Sequence, residues 1–76
     1  MRVIDKELIH KDFGEYIAEA RRKQKLYQAD LATKAGISQS YLSRMENGQR
    51  DIDLSDAIRL CKALDIPLAD FVDKYM

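Results

Sequence analysis

Residues 28–48, QADLATKAGISQSYLSRMENG, contain two short helical patterns separated by Ala-Gly-Ile-Ser. This break is too short for the second helix to fold back antiparallel to the first, so the two helices are predicted to cross. The small side chain of Ala32 permits a close crossing, and Gly36 accepts the left-handed backbone that the reversal needs. Ser38 can cap the second helix. The apolar face of the pair is predicted to contain Leu31, Ala32, Ala35, Leu42 and Met45.

The order of residues in and around this stretch resembles that of the XRE family of phage-repressor-like (Cro-like) helix-turn-helix proteins. The matching positions are Arg21, Gln28, Leu31, Ala32, Gly36, Glu46, Asn47 and Gly48. The resemblance continues into the C-terminal helices and covers residues 11–75. It implies an all-α, five-helix, lambda-repressor-like DNA-binding domain whose helix-turn-helix is formed by helices 2 and 3.

The other helices are predicted from apolar spacing and from end signals. Helix 1 is expected over residues 11–25, with an apolar stripe and a basic C-terminal end. Residues 1–10 are expected to form an N-terminal arm, with an extra helical turn or a frayed segment as the open alternatives, and residues 11–76 the helix-turn-helix domain. Asp53 can cap a fourth helix, and Pro67 suits the start of a fifth, which is expected from residue 68 to about residue 75.

The sequence contains no set of residues that suggests catalysis or a metal site. His10 is the only histidine and Cys61 the only cysteine. No ligand-spaced partner surrounds His10, so it is expected to be a solvent-exposed structural residue. Cys61 lies on an apolar helical stripe, where a buried and unreactive thiol is expected. The sequence therefore favours a protein that is not an enzyme and that needs no cofactor or metal.

Charge is distributed unevenly along a chain whose net charge is zero. Residues 21–50 carry a net charge of +5, whereas the segments before and after them carry −2 and −3. A basic block within a neutral chain is typical of a surface that binds a polyanion on one face. No apolar run approaches the roughly 20 residues of a membrane span, and no signal peptide is visible. Together with the single cysteine, these features favour a cytoplasmic protein that does not bind membranes.

The helix over residues 38–47 is predicted to lie in the major groove of duplex DNA. Its N-terminal and outward positions carry polar side chains that can reach base edges. These predicted base-contacting residues are Gln39, Ser40, Ser43 and Arg44. Gln39 can form a bidentate pair with adenine and Arg44 with guanine. A Gln-Ser-Ser-Arg face is also a normal hydrophilic helix surface, and the surrounding motif favours the DNA-reading interpretation.

The resemblance also implies roles for residues outside this face. Arg21 and Glu46 match a partly buried ion pair that ties helix 1 to helix 3, and removing one partner would leave the other uncompensated. Gln28 matches a glutamine that contacts a DNA phosphate, and Arg50 is expected to make an ionic phosphate contact. The full set of predicted phosphate contacts is Gln28, Tyr41, Asn47, Gln49 and Arg50.

These features predict a sequence-specific, double-stranded DNA-binding transcriptional regulator, with repression as the favoured activity. A homodimer would read a palindromic operator with half-sites about 34 Å apart. The apolar C-terminal helix, and with it the N-terminal arm, is expected to form the dimer contact, because a domain of this size buries only a modest fraction of its surface alone. The alternative is an antitoxin-like or other protein-interaction module of the same fold, whose partner would be a protein such as a toxin.

Overall fold

The computed structural model describes residues 5–76, which form five α-helices and no strand. In chain order these are α1 (Lys6–Lys23), α2 (Gln28–Ala35), α3 (Gln39–Glu46), α4 (Leu54–Leu64) and α5 (Leu68–Val72). The predicted all-α, five-helix architecture is therefore confirmed, with the helix-turn-helix at α2 and α3. None of the helices in residues 5–76 is both long enough and apolar enough to span a bilayer.

The first helix begins five residues earlier than the sequence pattern predicted. The Asp5 carboxylate accepts hydrogen bonds from the backbone N–H groups of Glu7, at 2.9 Å, and Leu8, at 3.4 Å, so it caps α1. Residues 6–10 are thus helical, which agrees with the alternative of an extra helical turn, whereas residues 1–4 of the predicted arm lie outside the described residues. The helix also ends two residues early, since Lys25 adopts a left-handed backbone with φ of 57°.

The start of α2 is stabilised by Asp30 and not by the residue at the cap position. Tyr27 occupies that position and is 79% exposed. The Asp30 carboxylate instead accepts a hydrogen bond from the Tyr27 N–H at 3.0 Å, which is one half of a capping box. A carboxylate in the first turn also interacts favourably with the helix dipole. This local compensation explains how α2 begins at a tyrosine, whose side chain makes no cap hydrogen bond.

The turn between α2 and α3 has the geometry that its sequence predicts. Gly36 has φ of 72°, and the Ile37 N–H donates to the Ala32 carbonyl at 3.0 Å. This pattern is a glycine-terminated helix end, in which a left-handed residue satisfies carbonyls of the last turn. The Ser38 hydroxyl then accepts from the Tyr41 N–H at 3.0 Å and caps α3. These contacts fix the angle at which α3 leaves α2.

One hydrophobic core joins all five helices. Its largest members, which are almost wholly inaccessible, are Ile17, Leu31, Leu42, Met45, Leu60 and Leu64. Cys61 is 3% exposed within this core, and burial raises the pKa of its thiol. Two helices approach each other closely at Gly14, where a β-carbon would lie 2.1 Å from the Met45 carbonyl oxygen. α1 and α3 therefore pack backbone against backbone at this point.

The C-terminal segment closes the core. Asp53 caps α4 by accepting from the Asp56 N–H at 2.9 Å. The last helix ends at Val72 instead of continuing to residue 75 as predicted. Phe71 is buried, and the Tyr75 ring packs against it at a centroid distance of 5.5 Å while its hydroxyl donates to Asp12 of α1. This hydrogen bond raises the pKa of Tyr75 to about 12.

Candidate nucleic-acid interface

α3 has one buried side and one polar side that faces outward. Leu42 and Met45 on the buried side are wholly inaccessible. The other side carries the four predicted base-contacting residues, of which Gln39, Ser40 and Arg44 are exposed and Ser43 is half-buried. Because α1 and α2 both pack against α3, the polar side is held rigidly on the surface of the domain. This arrangement is the one that a helix needs in order to lie in a DNA groove.

A partly buried ion pair holds the C-terminal end of α3 against α1. The Arg21 guanidinium donates to both carboxylate oxygens of Glu46, at 2.9 and 3.0 Å, and to the Leu26 carbonyl at 2.8 Å. The side chains are 14% and 5% exposed, respectively. Such bidentate, charge-assisted hydrogen bonds are strong and fix orientation. The pair implied by the family resemblance is therefore present, and it determines where the end of α3 lies.

Gln28 belongs to the same hydrogen-bond network. Its side-chain Nε2 donates to Glu46 Oε1 at 2.9 Å, which links the first turn of α2 to the last turn of α3. The sequence predicted a phosphate contact here and did not predict the bond to Glu46. An amide nitrogen carries two protons, so the second N–H of the half-buried Gln28 remains able to donate to another acceptor. Glu46 thus orients Gln28 as well as Arg21.

Tyr41 does not present its hydroxyl to the outside as a phosphate donor. The hydroxyl donates to Asp56 Oδ2 of α4 at 2.9 Å. Burial, followed by this hydrogen bond, raises the pKa of Tyr41 to about 12. A phenol has a single proton to donate, and here that proton is used within the domain. The Tyr41 hydroxyl thus links α3 to α4, and the predicted phosphate contact of Tyr41 stays a prediction.

The loop after α3 carries the remaining predicted phosphate contacts. Asn47, Gln49 and Arg50 are all exposed. The Asn47 side chain donates to the Ser43 carbonyl at 2.9 Å and so closes the last turn of α3. The Gln49 N–H donates to the Arg44 carbonyl at 2.9 Å. The Arg50 guanidinium carbon lies 5.2 Å from the centroid of the Tyr41 ring, within the range of a cation–π contact.

His10 anchors the far end of this loop. Its Nδ1 accepts a hydrogen bond from the Ile52 N–H at 3.0 Å, and its Nε2 lies 3.9 Å from an Asp51 carboxylate oxygen. Its side chain is only 17% exposed, so the predicted solvent exposure is wrong, while the predicted structural role fits. No group of His, Cys, Asp and Glu side chains within residues 5–76 has the geometry of a metal site.

The basic block of residues 21–50 does not form a single surface. Arg21 is used in the buried ion pair, Arg22 donates to the Ala18 carbonyl at 3.4 Å, and Lys23 lies 3.3 Å from Glu19. These cations belong to α1. Arg44 on α3 and Arg50 in the loop are themselves predicted DNA contacts, and Lys25 and Lys34 of the block are exposed. The net charge of the block therefore overstates the positive charge at the interface.

Three structural features of the interface were missed from the sequence. The first is Asp56, which accepts the hydrogen bond of the Tyr41 hydroxyl. The roles of His10 as a loop anchor and of Gly14 at the helix crossing were also missed. A glycine in a helix interior costs about 0.5–1 kcal/mol relative to alanine, so Gly14 was a recognisable sign of close packing. The partners of Asp56 and His10 are 15 and 42 residues away and left no local pattern.

A tight α2–α3 crossing with an outward polar face on α3, braced by a partly buried ion pair, defines a helix-turn-helix DNA-binding domain. The family model described as helix-turn-helix matches residues 17–71. The chain belongs to the XRE-type helix-turn-helix family, whose members are DNA-binding transcriptional regulators. The family resemblance seen in the sequence is thereby confirmed.

Relatives of known name support this assignment. Over an alignment of 56 residues, the chain is 41% identical to the transcriptional repressor RghR of Bacillus subtilis. The alignment covers 72% of this chain and 42% of RghR. The chain thus spans less than half the length of that relative. The fold is similar to that of the restriction-modification controller protein C.AhdI from Aeromonas hydrophila, with a TM-score of 0.82, 32% identity and coverage of 90% and 99% of the two chains.

A more distant protein shares the fold. It is the restriction-modification controller protein C.Esp1396I, whose structure is known as a tetramer in complex with its natural 35 base-pair operator. The TM-score is 0.78 at 21% identity, and the alignment covers 87% of each chain. At this identity the comparison shows the similarity of fold only.

Proposed function

We propose that this protein is a sequence-specific transcriptional repressor that binds double-stranded DNA with α3 in the major groove. The observation that carries the proposal is the outward polar face of α3, which the core and the Arg21–Glu46 pair hold in place. A helix with exposed glutamine, serine and arginine at its N-terminal and outward positions can form directional hydrogen bonds with base edges. A bound repressor would act by occupancy, because it would block polymerase from the same DNA.

Base reading is assigned to the exposed face of α3. Gln39 would pair with adenine and Arg44 with guanine, each through two hydrogen bonds, and each such pair discriminates by about 1–3 kcal/mol. Ser40 is short and exposed, so it allows the helix to approach the bases closely. Ser43 is half-buried and would contact a base edge only at the deepest point of the groove.

Phosphate contacts are assigned to both ends of the helix-turn-helix. Gln28 would donate its second amide proton, and Asn47 likewise has one amide proton left after its bond to Ser43. Gln49 and Arg50 extend this contact into the following loop. Such contacts set the register of the protein on the duplex without reading its sequence.

A homodimer is part of the proposal, and an apolar surface supports it. Leu54 and Ile58 lie one turn apart on α4 and are 69% and 50% exposed, and Leu68 and Val72 of α5 are half-buried. We refer to these four residues as the α4–α5 apolar face. Large apolar side chains exposed together are typical of protein–protein interfaces. Two copies joined here with twofold symmetry would read a palindromic operator with half-sites about 34 Å apart.

The test is selection of bound sequences from a random duplex pool, followed by affinity measurements on the selected site. Arg44→Ala is expected to weaken that site by about 1–3 kcal/mol and to relax preference at one base position, whereas Arg50→Ala is expected to weaken all duplexes alike. Lys74→Ala, on the C-terminal segment, is the control and should change neither the affinity for duplex DNA nor the base preference. If Arg44→Ala and Arg50→Ala both weakened binding by the same factor on every duplex sequence, α3 would not read bases.

The dimer is tested separately by sedimentation. Ile58→Glu places a charge on the α4–α5 apolar face and is expected to give a monomer that remains folded, because the side chain is half-exposed. The selected sites should then lose their twofold symmetry requirement. A variant that stayed dimeric would place the dimer contact elsewhere.

The α4–α5 apolar face also favours a second candidate function, a protein-interaction module that binds a protein such as a toxin. Salt dependence separates the two functions. DNA binding through several phosphate contacts loses affinity steeply as salt increases, because condensed counterions are released. Association through an apolar face should change little over the same range.

A further inference from the structure

The side chain of Tyr41 lies at a junction between three parts of the domain. Its backbone belongs to α3, its hydroxyl donates to Asp56 of α4 at 2.9 Å, and its ring faces the Arg50 guanidinium at 5.2 Å. Asp56 is itself fixed, because the Asp53 carboxylate accepts its backbone N–H at 2.9 Å in the first turn of α4. A continuous set of contacts therefore runs from the start of α4 to the cation of the loop.

The ring of Tyr41 restricts a side chain that would otherwise be free. Arg50 is exposed in an irregular loop, and no carboxylate within residues 5–76 forms an ion pair with it. A guanidinium that is already stacked on an aromatic face loses less conformational freedom when it binds a phosphate. The hydrogen bond to Asp56 limits rotation of the same ring, so the stacking surface stays in one place.

We infer that Tyr41 and Asp56 are positioning residues that hold Arg50 in its phosphate-binding orientation, and that neither contacts DNA itself. This inference rests on the proposed function, since it assigns how one of the proposed phosphate contacts is prepared. The inference also explains why the acidic side chain of Asp56 lies close to the proposed DNA-binding surface. The Asp56 carboxylate accepts the hydrogen bond of the Tyr41 hydroxyl at the end of the ring, whereas the Arg50 guanidinium lies over the ring.

A double-mutant cycle on the selected duplex tests the inference. Tyr41→Leu is expected to weaken binding by about two- to fivefold, which is the size of an exposed cation–π contact. In an Arg50→Ala background the same change should have almost no effect, because the group being positioned is gone. Tyr41→Phe keeps the ring and should lose less affinity for the duplex than Tyr41→Leu. Tyr75→Phe is the matched control, since it also removes a tyrosine–aspartate hydrogen bond, but away from α3.

A second measurement needs no DNA. Protons of the Arg50 δ-methylene group should be shifted upfield in the NMR spectrum of the free protein, because the neighbouring guanidinium carbon lies over the Tyr41 ring, 5.2 Å from its centroid. The shift should persist in Tyr41→Phe and disappear in Tyr41→Leu. Absence of this shift in the unmodified protein would show that the stacked arrangement is not populated, and would overturn the inference even if Tyr41→Leu failed to fold.

The outcomes separate this inference from the proposed function. If the unmodified protein selects no duplex at all, the proposed function fails and the inference falls with it. If it binds DNA but Tyr41→Leu causes the same loss with and without Arg50, then Tyr41 contacts DNA directly or only supports α3, and the positioning role is wrong. Loss of affinity in Tyr75→Phe equal to that in Tyr41→Phe would likewise show a general effect on stability.

Discussion

Replacing Gly14 with alanine adds one carbon atom at the point where α1 crosses α3. The added β-carbon would lie 2.1 Å from the Met45 carbonyl oxygen and 3.1 Å from the carbonyl carbon. Real β-carbons essentially never approach another atom closer than 3.0 Å, so the helices must separate by about 0.9 Å. The obstructing atoms belong to the backbone of α3, which means that no side-chain rotation can relieve the contact.

The expected cost follows from two opposing effects. Alanine is more favourable than glycine in a helix interior by about 0.5–1 kcal/mol. Overpacking of a tight contact costs about 1–3 kcal/mol, and a backbone obstruction belongs at the upper end of that range. We therefore expect Gly14→Ala to lower the free energy of unfolding by about 2 kcal/mol, which for a domain of this size lowers Tm by about 8–16 °C.

Thermal unfolding followed by circular dichroism measures this change, and Gly36→Ala provides the comparison. Gly36 has φ of +72° and no atom within 4 Å of an added β-carbon, so its substitution introduces backbone strain of about 1–2 kcal/mol without a collision. Gly14→Ala should in addition weaken binding to the selected duplex while the variant is still folded, because the collision displaces α3. If Gly14→Ala melted at or above the Tm of the unmodified protein, the close α1–α3 crossing would be refuted.

Two further predictions concern stability. Glu46→Ala leaves the buried Arg21 guanidinium without its carboxylate and should lower the free energy of unfolding, measured with denaturant, by about 3–5 kcal/mol. Replacing both residues with apolar ones should lower it far less. A loss under about 1 kcal/mol in Glu46→Ala would mean that solvent screens the pair. In the folded protein the pKa values of Tyr41 and Tyr75 are raised to about 12 each, above the ordinary tyrosine value of about 10. The contribution of these two groups to the free energy of unfolding is therefore fully present below about pH 10 and is lost as pH rises from 10 to 12. Denaturant unfolding between pH 10 and pH 12 should show a smaller loss of stability in Tyr41→Phe than in the unmodified protein. An identical loss would contradict the assignment of part of this pH dependence to Tyr41.

The parts of the fold that the sequence predicted well are those determined by neighbours in the chain. Gly36 and Ser38 act on groups within five residues of themselves, so the turn and the start of α3 could be predicted from their spacing. The apolar residues of α3 repeat at three, which orients the helix without knowledge of its partners. The same pattern left Gln39 and Arg44 on the outside.

The parts that the sequence did not predict depend on contacts between distant residues. Tyr41 has an apolar ring and a polar end, and its position on α3 allowed either a phosphate or a protein partner. Only the fold shows that Asp56 lies 2.9 Å from its hydroxyl. The start of α1 is a different case, because Asp5 is a good cap and its signal was local. There the short apolar pattern before residue 11 was too weak to separate a helical turn from an arm.

The position of the charges gives a final prediction about how the protein binds DNA. Three of the seven cations of the basic block lie on α1, where Arg21 and Lys23 have acidic partners, and Arg50 is the cation of the block that is proposed to contact a phosphate. If Arg50 neutralises one phosphate in each copy, a dimer neutralises two, and the slope of log K against log salt is about −1.8. Affinity should then fall about 12-fold between 50 and 200 mM salt. A much steeper slope in filter-binding or fluorescence titrations would show that further cations reach the DNA, and Arg50→Ala should reduce the slope by about 1 for each copy of the chain.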